Sequence, residues 1–239
     1  MKKKSNLSKF LFFLRDQMSA DLFLCLRKYC KDNVLDIGGW DFYETAIKKG
    51  ISYESWTVVD SDKSHLLQTN QHRVNFVHGD GCKLKFKNNT FDTILCIQVL
   101  EHVFDPIELV KESARVLKIG SYGIFMVPQT GNLHGVPYHY QNFTKYWIIE
   151  VCKRIDVELV EIIPAGGAWR THASRLLHTI FQILGHPSYT YKKKKRNLIF
   201  YLLSPFSLIY IFVNLFICLI FSLGDIEEEA NNHIFVFKK

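Results

Sequence analysis

A short stretch near the N-terminal end, residues 33–42, constrains the fold more than any other part of the chain. Its letters are NVLDIGGWDF. Val34, Leu35 and Ile37 are typical of a buried strand, and the two glycines after them allow a tight turn and a close approach to a ligand. Residues 43–49 then have the pattern of a helix. A strand, a glycine turn and a helix at the start of a sheet predict a nucleotide-like ligand at that turn.

Strand and helix patterns alternate through most of the remaining chain. Further strands are predicted at residues 56–59, 74–77, 91–98, 122–127, 157–163 and 233–237. Helices are predicted at 106–118, which Gly120 would end, and at 142–153, while Pro164 would stop the sixth strand. This alternation predicts an α/β fold with a Rossmann-like, mostly parallel sheet of seven strands and helices on both faces.

Charge and cysteine content narrow the class of protein. The formal net charge is +7 over 239 residues, and part of the excess lies in two short runs, Lys2–Lys4 and Lys192–Arg196. Basic residues beside an apolar segment favour a membrane surface over nucleic acid. The six cysteines have no CxxC spacing, so we interpret them as core residues in a reducing compartment. The apolar part of the N-terminus, residues 10–13, is too short to predict a signal peptide.

An ordered series of motifs resembles the class I S-adenosylmethionine-dependent methyltransferases, in the branch with a Leu-Glu-His signature after the fourth strand. The matching segments are VLDIG at 34–38, VD at 59–60, GD at 79–80, FD at 91–92, QVLEHVFDP at 98–106 and RVLKIG at 115–120. The resemblance implies S-adenosylmethionine as the cofactor. It assigns cofactor contacts to eight residues at strand ends: Asp36, Gly38, Gly39, Asp60, Ser61, Asp80, Gly81 and Gln98.

One departure from the family pattern concerns the first glycine turn. The family usually has further glycines at the positions of Trp40 and Phe42. Gly39, between Gly38 and Trp40, would substitute for them in part. The departure leaves open a second interpretation, in which the chain is a catalytically inactive, membrane-attached binding or scaffold protein with the same fold.

Histidines supply the candidates for chemistry on the methyl acceptor. The segment 128–143 is rich in His and Tyr and resembles the pocket-closing segment of this branch. His139 is the first candidate for a general base or acceptor contact, and His134 is the second. His102, in the Leu-Glu-His signature, is a third candidate whose alternative is a structural helix cap. Because no His-x-x-x-His spacing occurs in a convincing context, no metal is predicted.

The segment 198–223 does not fit the sheet, because it is almost wholly apolar. If 233–237 joins the same sheet, both ends of the segment lie on one side of a membrane. We therefore expect an apolar hairpin, broken at Ser204-Pro205, in the cytoplasmic leaflet, with an interfacial helix at 169–184 beside it. The alternative is a buried hairpin that packs on the sheet or forms the dimer interface of a soluble enzyme.

These observations divide the chain into four predicted parts. Residues 1–31 are an N-terminal helical segment, 32–168 the cofactor-binding core, 169–230 the membrane-associating insertion and 231–239 the last strand of the core. The predicted function is methyl transfer from S-adenosylmethionine to an unknown small acceptor, for which the resemblance implies a lipid, a lipid-linked glycan or a sugar. The predicted location is the cytoplasmic side of a membrane, with peripheral or monotopic attachment. No nucleic-acid partner is expected.

Overall fold

The computed structural model describes residues 20–65, 72–183 and 196–239. Its seven strands are β1 (Asn33–Ile37), β2 (Ser55–Asp60), β3 (Val74–His78), β4 (Phe91–Ile97), β5 (Leu117–Pro128), β6 (Glu158–Ala165) and β7 (Asn232–Lys238). They form one sheet in the order β3-β2-β1-β4-β5-β7-β6, in which only β7 runs antiparallel to its neighbours. The predicted mostly parallel, seven-stranded sheet is confirmed. Residues 233–237 lie in β7, the last strand in chain order, as predicted.

Six helices are present in the described residues. They are α1 (Ala20–Tyr29), α2 (Phe42–Lys48), α3 (Pro106–Val116), α4 (Lys145–Arg154), α5 (Ala168–Ile183) and α6 (Leu198–Phe221). Local signals start two of them: Asp105 caps α3 by accepting the N–H of Glu108, and Thr144 caps α4 by accepting the N–H of Trp147. The part of the predicted N-terminal helical segment before Ala20 lies outside the described residues.

Apolar side chains bury both faces of the sheet. Helices α3 and α4 supply Leu109 and Ile148 to one core, which also contains Phe125 of the interior strand β5. Helix α1 supplies Leu26 to the other core, which contains Trp56 of β2. Cys82 is half-buried and the other five cysteines are buried, as expected of core residues. The sheet is therefore a rigid support for the loops at its ends.

Two predicted boundaries are wrong for reasons of strand pairing. Helix α3 ends at Val116, not at Lys118, because Leu117 is buried and already pairs with Phe91 of β4. Gly120 lies within β5 and does not end the helix. Strand β6 continues through Pro164 to Ala165. This strand is at the sheet edge, where proline is tolerated because its missing N–H can face away from the neighbouring strand.

The predicted break at Ser204-Pro205 is also wrong, because α6 is one continuous helix of 24 residues. Pro205 has no N–H to donate to the carbonyl of Tyr201. The hydroxyl of Ser204 donates to that carbonyl instead, at 3.0 Å. A serine that satisfies the freed carbonyl lets a proline remain inside a helix. The apolar segment is therefore a single rod about 36 Å long.

A helical hairpin does exist in this region, but its two arms are α5 and α6. The base of the hairpin is fixed to the sheet edge, where the Trp169 ring stacks on Phe221 at 4.8 Å between centroids. The carboxylate of Asp225 accepts the N–H groups of Gly167, Trp169 and Arg170 at 2.8–3.2 Å, and so caps the start of α5. The two arms leave and rejoin the sheet at one place, between β6 and β7.

Most of α6 remains uncovered within this chain. By length and composition, one helical stretch among the described residues, Leu198–Gly224, would be able to cross a membrane, and 11% of its most apolar window is buried. Ile211, Leu215 and Cys218 are buried against the rest of the protein. Large apolar side chains on the other sides, such as Phe206 and Phe216, are exposed.

Candidate active site

The candidate site lies along one edge of the sheet. Strands β1, β2, β4 and β5 are parallel, so their carboxyl ends meet at this edge. The segments that leave these ends carry the two glycines, Asp60, Gln98 and the histidines. In open α/β sheets this edge is the place where ligands bind. The sheet thus collects residues that are up to about a hundred positions apart in the sequence.

The glycine turn after β1 needs both of its glycines. Gly38 has φ +68° and donates its N–H to the carbonyl of Val59 at 2.7 Å. A Cβ there would meet the Val99 side chain at 2.6 Å. A Cβ on Gly39 would overlap the carboxylate of Asp36. The turn is therefore closed tightly over that carboxylate, and side chains at 38 or 39 would force the loop to move.

Asp36 is wholly buried beneath this turn. Its Oδ2 accepts the indole N–H of Trp56 at 3.1 Å, while Oδ1 has no hydrogen-bond partner. Burial raises the pKa of this carboxyl to about 7, although the Trp56 hydrogen bond acts in the opposite direction. A buried acceptor without a donor is costly, so Asp36 is well suited to meet a donor on a bound ligand.

Asp60 ends β2, as predicted, and its carboxylate already has two neighbours. Oδ1 accepts the N–H of Asp62 at 2.8 Å, and Oδ2 lies 3.0 Å from Nδ1 of His65. Each carboxylate oxygen can accept a second hydrogen bond, so both can still receive ribose hydroxyls. Sequence reasoning missed His65, whose only signal was its position five residues after the acid.

The two aromatic residues that replace family glycines have different positions. Phe42 packs on Phe23 of α1, with 6.2 Å between ring centroids, and belongs to the core. Trp40 has φ +41° and a 47% exposed side chain, and its indole stacks on the His65 ring at 5.1 Å. Trp40 and His65 together flank Asp60. The turn is thus reshaped at its outer side, but its two glycines keep their places beside Asp36.

The remaining predicted cofactor residues lie at the same edge in different roles. Asp80 is exposed, and its Oδ1 accepts the N–H of Cys82 at 2.9 Å, as in a turn. Gly81 faces the core, because a Cβ there would meet Leu109 at 2.9 Å. Ser61 is exposed, and its carbonyl oxygen lies 3.1 Å from Nε2 of His78. Gln98 has φ +56°, and its amide donates to Asn232 of β7 at 2.9 Å.

The three predicted catalytic histidines form one cluster. His102 follows β4, and His134 and His139 lie between β5 and α4. Their closest ring nitrogens are all within 4.8 Å of one another. The buried carboxylate of Glu101 lies below the cluster, with Oε1 3.6 Å from Nε2 of His134 and 3.8 Å from Nε2 of His102. The sequence motif contains Glu101, but only the structure places it against His134.

The local environment shifts the pKa values of His134 and His102 in opposite directions. The neighbouring Glu101 carboxylate raises the pKa of His134, although burial of the ring opposes this effect. Burial lowers the pKa of His102, and the other two rings of the cluster contribute in the same direction. His139 has partners at both ring nitrogens: Nδ1 accepts the backbone N–H of His134 at 3.4 Å, and Nε2 lies 3.2 Å from Oδ1 of Asn142. His134 is thus the ring best suited to carry a positive charge.

The residues at the first two strand ends fit S-adenosylmethionine. The unpartnered Oδ1 of Asp36 is an acceptor for a ligand N–H, and the Gly38-Gly39 turn offers backbone where a Cβ would collide. Asp60 is 8% exposed and keeps acceptor capacity for ribose hydroxyls. Of the two aromatic residues that replace family glycines, Phe42 packs on Phe23 and Trp40 stacks on His65.

Comparison with known proteins finds a methyltransferase domain in this chain. Residues 35–125 match a family model described as a methyltransferase domain. A rice (Oryza sativa subsp. japonica) protein, 2-methyl-6-phytyl-1,4-hydroquinone methyltransferase 1, chloroplastic, is 27% identical over 149 residues. The alignment covers 57% of this chain and 44% of the rice protein, so the chain spans less than half of that relative.

Solved structures extend the similarity of fold to nearly the whole chain. The [4+2]-cyclase SpnF superposes with a TM-score of 0.59 at 14% identity, covering 92% of this chain and 80% of SpnF. Phosphoethanolamine N-methyltransferase 2 of Haemonchus contortus, solved with S-adenosyl-L-methionine, has a TM-score of 0.53 at 16% identity, covering 95% of this chain and 56% of that one. The chain thus carries a methyltransferase domain at residues 35–125, and S-adenosylmethionine is the cofactor that this domain implies.

Proposed function

We propose that this protein transfers a methyl group from S-adenosylmethionine to a small acceptor held at a membrane surface. One observation carries the cofactor part of the proposal. A buried carboxylate oxygen without a partner, on Asp36, lies directly under a turn of two glycines that tolerates no side chain at Gly39. Such a site is completed by a bound ligand with an N–H group.

The residues of the chain take little direct part in the bond-making and bond-breaking of this reaction. S-adenosylmethionine supplies an activated methyl group, and transfer is an in-line displacement by the acceptor. We assign Asp36, Gly38 and Gly39 to the methionine end and Asp60 to the ribose, with Trp40 and His65 covering the ribose side. Asp80 and Gly81 are assigned to the adenine side, and Gln98 to the floor of the site. Their contribution is to hold the two reactants in line and to exclude water.

The histidine cluster is assigned to the acceptor side. His102, His134 and His139 lie at the ends of β4 and β5, next to the strand ends assigned to the cofactor. A ring nitrogen there can accept a hydrogen bond or a proton from an acceptor hydroxyl. Both ring nitrogens of each of these three residues already have partners, so an acceptor hydroxyl would displace one of those partners.

The hairpin of α5 and α6 supports attachment to a membrane. Helix α6 presents apolar side chains on most of its surface, and Arg196 precedes it. A single crossing by α6 would require α5 to cross as well, since both arms join the sheet at one place. Helix α5 has 16 residues, about 24 Å, and contains Arg170 and Arg175. We therefore place the hairpin along the surface of the cytoplasmic leaflet, where cationic flanks meet anionic lipid.

The acceptor class follows from this attachment. A protein whose site lies beside a membrane-bound hairpin is suited to an acceptor with a polar head and an apolar anchor. The name of the rice relative describes such a molecule, a hydroquinone with a phytyl chain. We propose a lipid-anchored acceptor of this kind, with a hydroxyl-bearing or sugar head group.

Calorimetric titration of the detergent-purified chain with S-adenosylmethionine and S-adenosylhomocysteine tests the cofactor site. Micromolar binding is expected for the wild type, with at least a tenfold loss in Asp60→Ala. Asp41→Ala is the matched control, because Asp41 is an exposed acid just before α2 whose side chain makes no capping hydrogen bond. A folded wild-type protein that binds neither compound would refute the enzyme and favour the inactive scaffold.

Flotation with vesicles that contain anionic lipid tests the attachment. The double variant Phe212→Glu/Phe216→Glu adds charge to two exposed positions of α6 and is expected to abolish flotation. Ile119→Glu, which adds charge to an exposed apolar position of β5 outside the hairpin, is the control. If the detergent-free wild type is instead a soluble dimer that does not float, the apolar face is a protein interface.

A further inference from the structure

We propose that Glu101, His102 and His134 form a binding site for a divalent transition metal ion such as Zn²⁺. The three residues come from two separate segments, the turn after β4 and the connection between β5 and α4. The spacing of 32 residues between the two histidines matches no short metal motif, so the sequence alone predicts no metal. The proposal does not depend on methyl transfer.

The hydrogen bonds of the two rings fix their protons. Nδ1 of His102 lies 2.8 Å from the carbonyl oxygen of Tyr138, and Nδ1 of His134 lies 2.8 Å from that of Asn132. A carbonyl oxygen only accepts, so each Nδ1 must carry a proton. In the neutral rings each Nε2 then carries no proton and has a free lone pair. This arrangement, an N–H held by a backbone carbonyl and a free Nε2 on the opposite side, is typical of metal-binding histidines.

The free atoms converge on one point. The two Nε2 atoms are 3.2 Å apart, and Oε1 of Glu101 is 3.6 Å and 3.8 Å from them. Three lone-pair-bearing atoms cannot hydrogen-bond to one another without a cation among them. Two nitrogen ligands of tetrahedral Zn²⁺, each about 2.05 Å from the ion, are roughly 3.3 Å apart. The observed 3.2 Å matches that separation, and the carboxylate needs to approach by only a few tenths of an ångström.

Glu101 supplies an independent observation. It is 0% exposed, and neither of its carboxylate oxygens has a hydrogen-bond partner. A buried carboxylate without donors is expected to be paired or to ligate a metal. No lysine or arginine side chain of the described residues pairs with it, and the nearest titratable groups are the rings of the two histidines. A bound cation would satisfy the carboxylate and both rings at once.

His139 completes the surroundings of the proposed ion. Its ring is 4.7 Å from that of His134 and 5.6 Å from that of His102, measured between centroids. To become a fourth ligand it would have to give up its contact with His134 N–H or with Asn142. Three ligands and one open position are typical of zinc sites that bind a further ligand. The donor set of two imidazoles and one carboxylate favours Zn²⁺, Co²⁺ or Fe²⁺ over Mg²⁺.

Metal titration of the untagged, chelator-treated full chain tests the proposal. We expect one equivalent of Zn²⁺ per chain at micromolar or tighter affinity, and visible absorption bands of low-coordinate Co²⁺ when cobalt is bound. His134→Asn and Glu101→Gln are expected to weaken binding at least tenfold. His172→Asn, which changes an exposed histidine of α5, is expected to leave it unchanged.

S-adenosylmethionine binding, measured on the same samples, separates misfolding from loss of the metal. Variants that keep cofactor binding and lose Zn²⁺ support the site. A folded wild type that binds no Zn²⁺ or Co²⁺ stoichiometrically would overturn it, and the rings would then share a proton. Equal affinity in His134→Asn, Glu101→Gln and His172→Asn would overturn it as well. If metal binds and cofactor does not, the metal site stands and the proposed methyl transfer fails.

Discussion

Replacing Asp36 by asparagine is expected to remove a pH dependence from the stability of the fold. The side chain is fully buried, and its pKa rises from 3.8 to about 7 because burial disfavours the charge. Between these values the folded chain holds a proton that the unfolded chain has lost. The free energy of unfolding therefore falls as pH rises through this window, and it changes no further above about pH 7.

The magnitude follows from the two pKa values. Their difference is about 3 units, of which roughly 2 lie between pH 5 and pH 7, and each unit corresponds to about 1.4 kcal/mol. Because of Asp36, the free energy of unfolding of the wild type should therefore be about 2–3 kcal/mol lower at pH 8 than at pH 5. Asparagine keeps an oxygen for the Trp56 indole but does not ionise, so any cost of its amide is the same at both pH values.

Denaturant unfolding of both proteins at pH 5 and pH 8, at constant ionic strength, measures this effect. The quantity compared is the wild-type stability minus that of Asp36→Asn, in which the contributions of other groups cancel. Asp92→Asn is the control. Partial burial disfavours the charge of Asp92, but hydrogen bonds from Lys118 and Asn33 outweigh it and lower its pKa.

Asp92 is therefore ionised throughout the window, and its loss should cost the same at pH 5 and pH 8. If the difference between wild type and Asp36→Asn is also the same at both pH values, Asp36 is not a neutral buried acid. The reasoning that burial of this carboxyl without enough donors raises its pKa would then be refuted.

Three further perturbations test the local packing. Gly39→Ala places a Cβ on the Asp36 carboxylate and should reduce S-adenosylmethionine affinity at least tenfold by calorimetry, whereas Gly224→Ala, with open space around the added carbon, should not. Trp56→Phe removes the indole N–H from Asp36 and should lower the free energy of unfolding by about 1–3 kcal/mol in denaturant titration; no change would mean that water replaces the bond. Ser204→Ala frees a helix carbonyl and should lower the helical circular dichroism signal and cost about 1 kcal/mol, and unchanged helicity would contradict the role given to the hydroxyl.

The positions of Asp36 and Asp60 near strand ends were largely predictable from the sequence. Val34, Leu35 and Ile37 mark a buried strand by composition alone, and Asp36 and Asp60 fall near strand ends because the strands are short and regular. A side chain at the end of a parallel strand reaches the same edge as its counterparts in neighbouring strands. For these residues, local pattern and topology were enough.

Other features depended on contacts that a local pattern does not contain. The boundaries at Lys118 and Pro164 were wrong because pairing with β4 and the edge position of β6 decide them. The predicted break at Pro205 was wrong because the preceding serine satisfies the freed carbonyl. In each case a neighbouring group overrides the propensity of a single residue.

The sequence by itself determined the sheet, the resemblance to methyltransferases and the choice of candidate site residues, because hydrophobic periodicity and motif order are local properties of the chain. Only the tertiary structure decided how those residues combine. It brought Glu101 and His102 against His134, turned two lone pairs toward one buried carboxylate, stacked Trp40 on His65, and paired α6 with α5 at the edge of the sheet. The physical reason is that lone-pair direction, burial and charge proximity arise from distances between distant segments, and folding alone sets those distances.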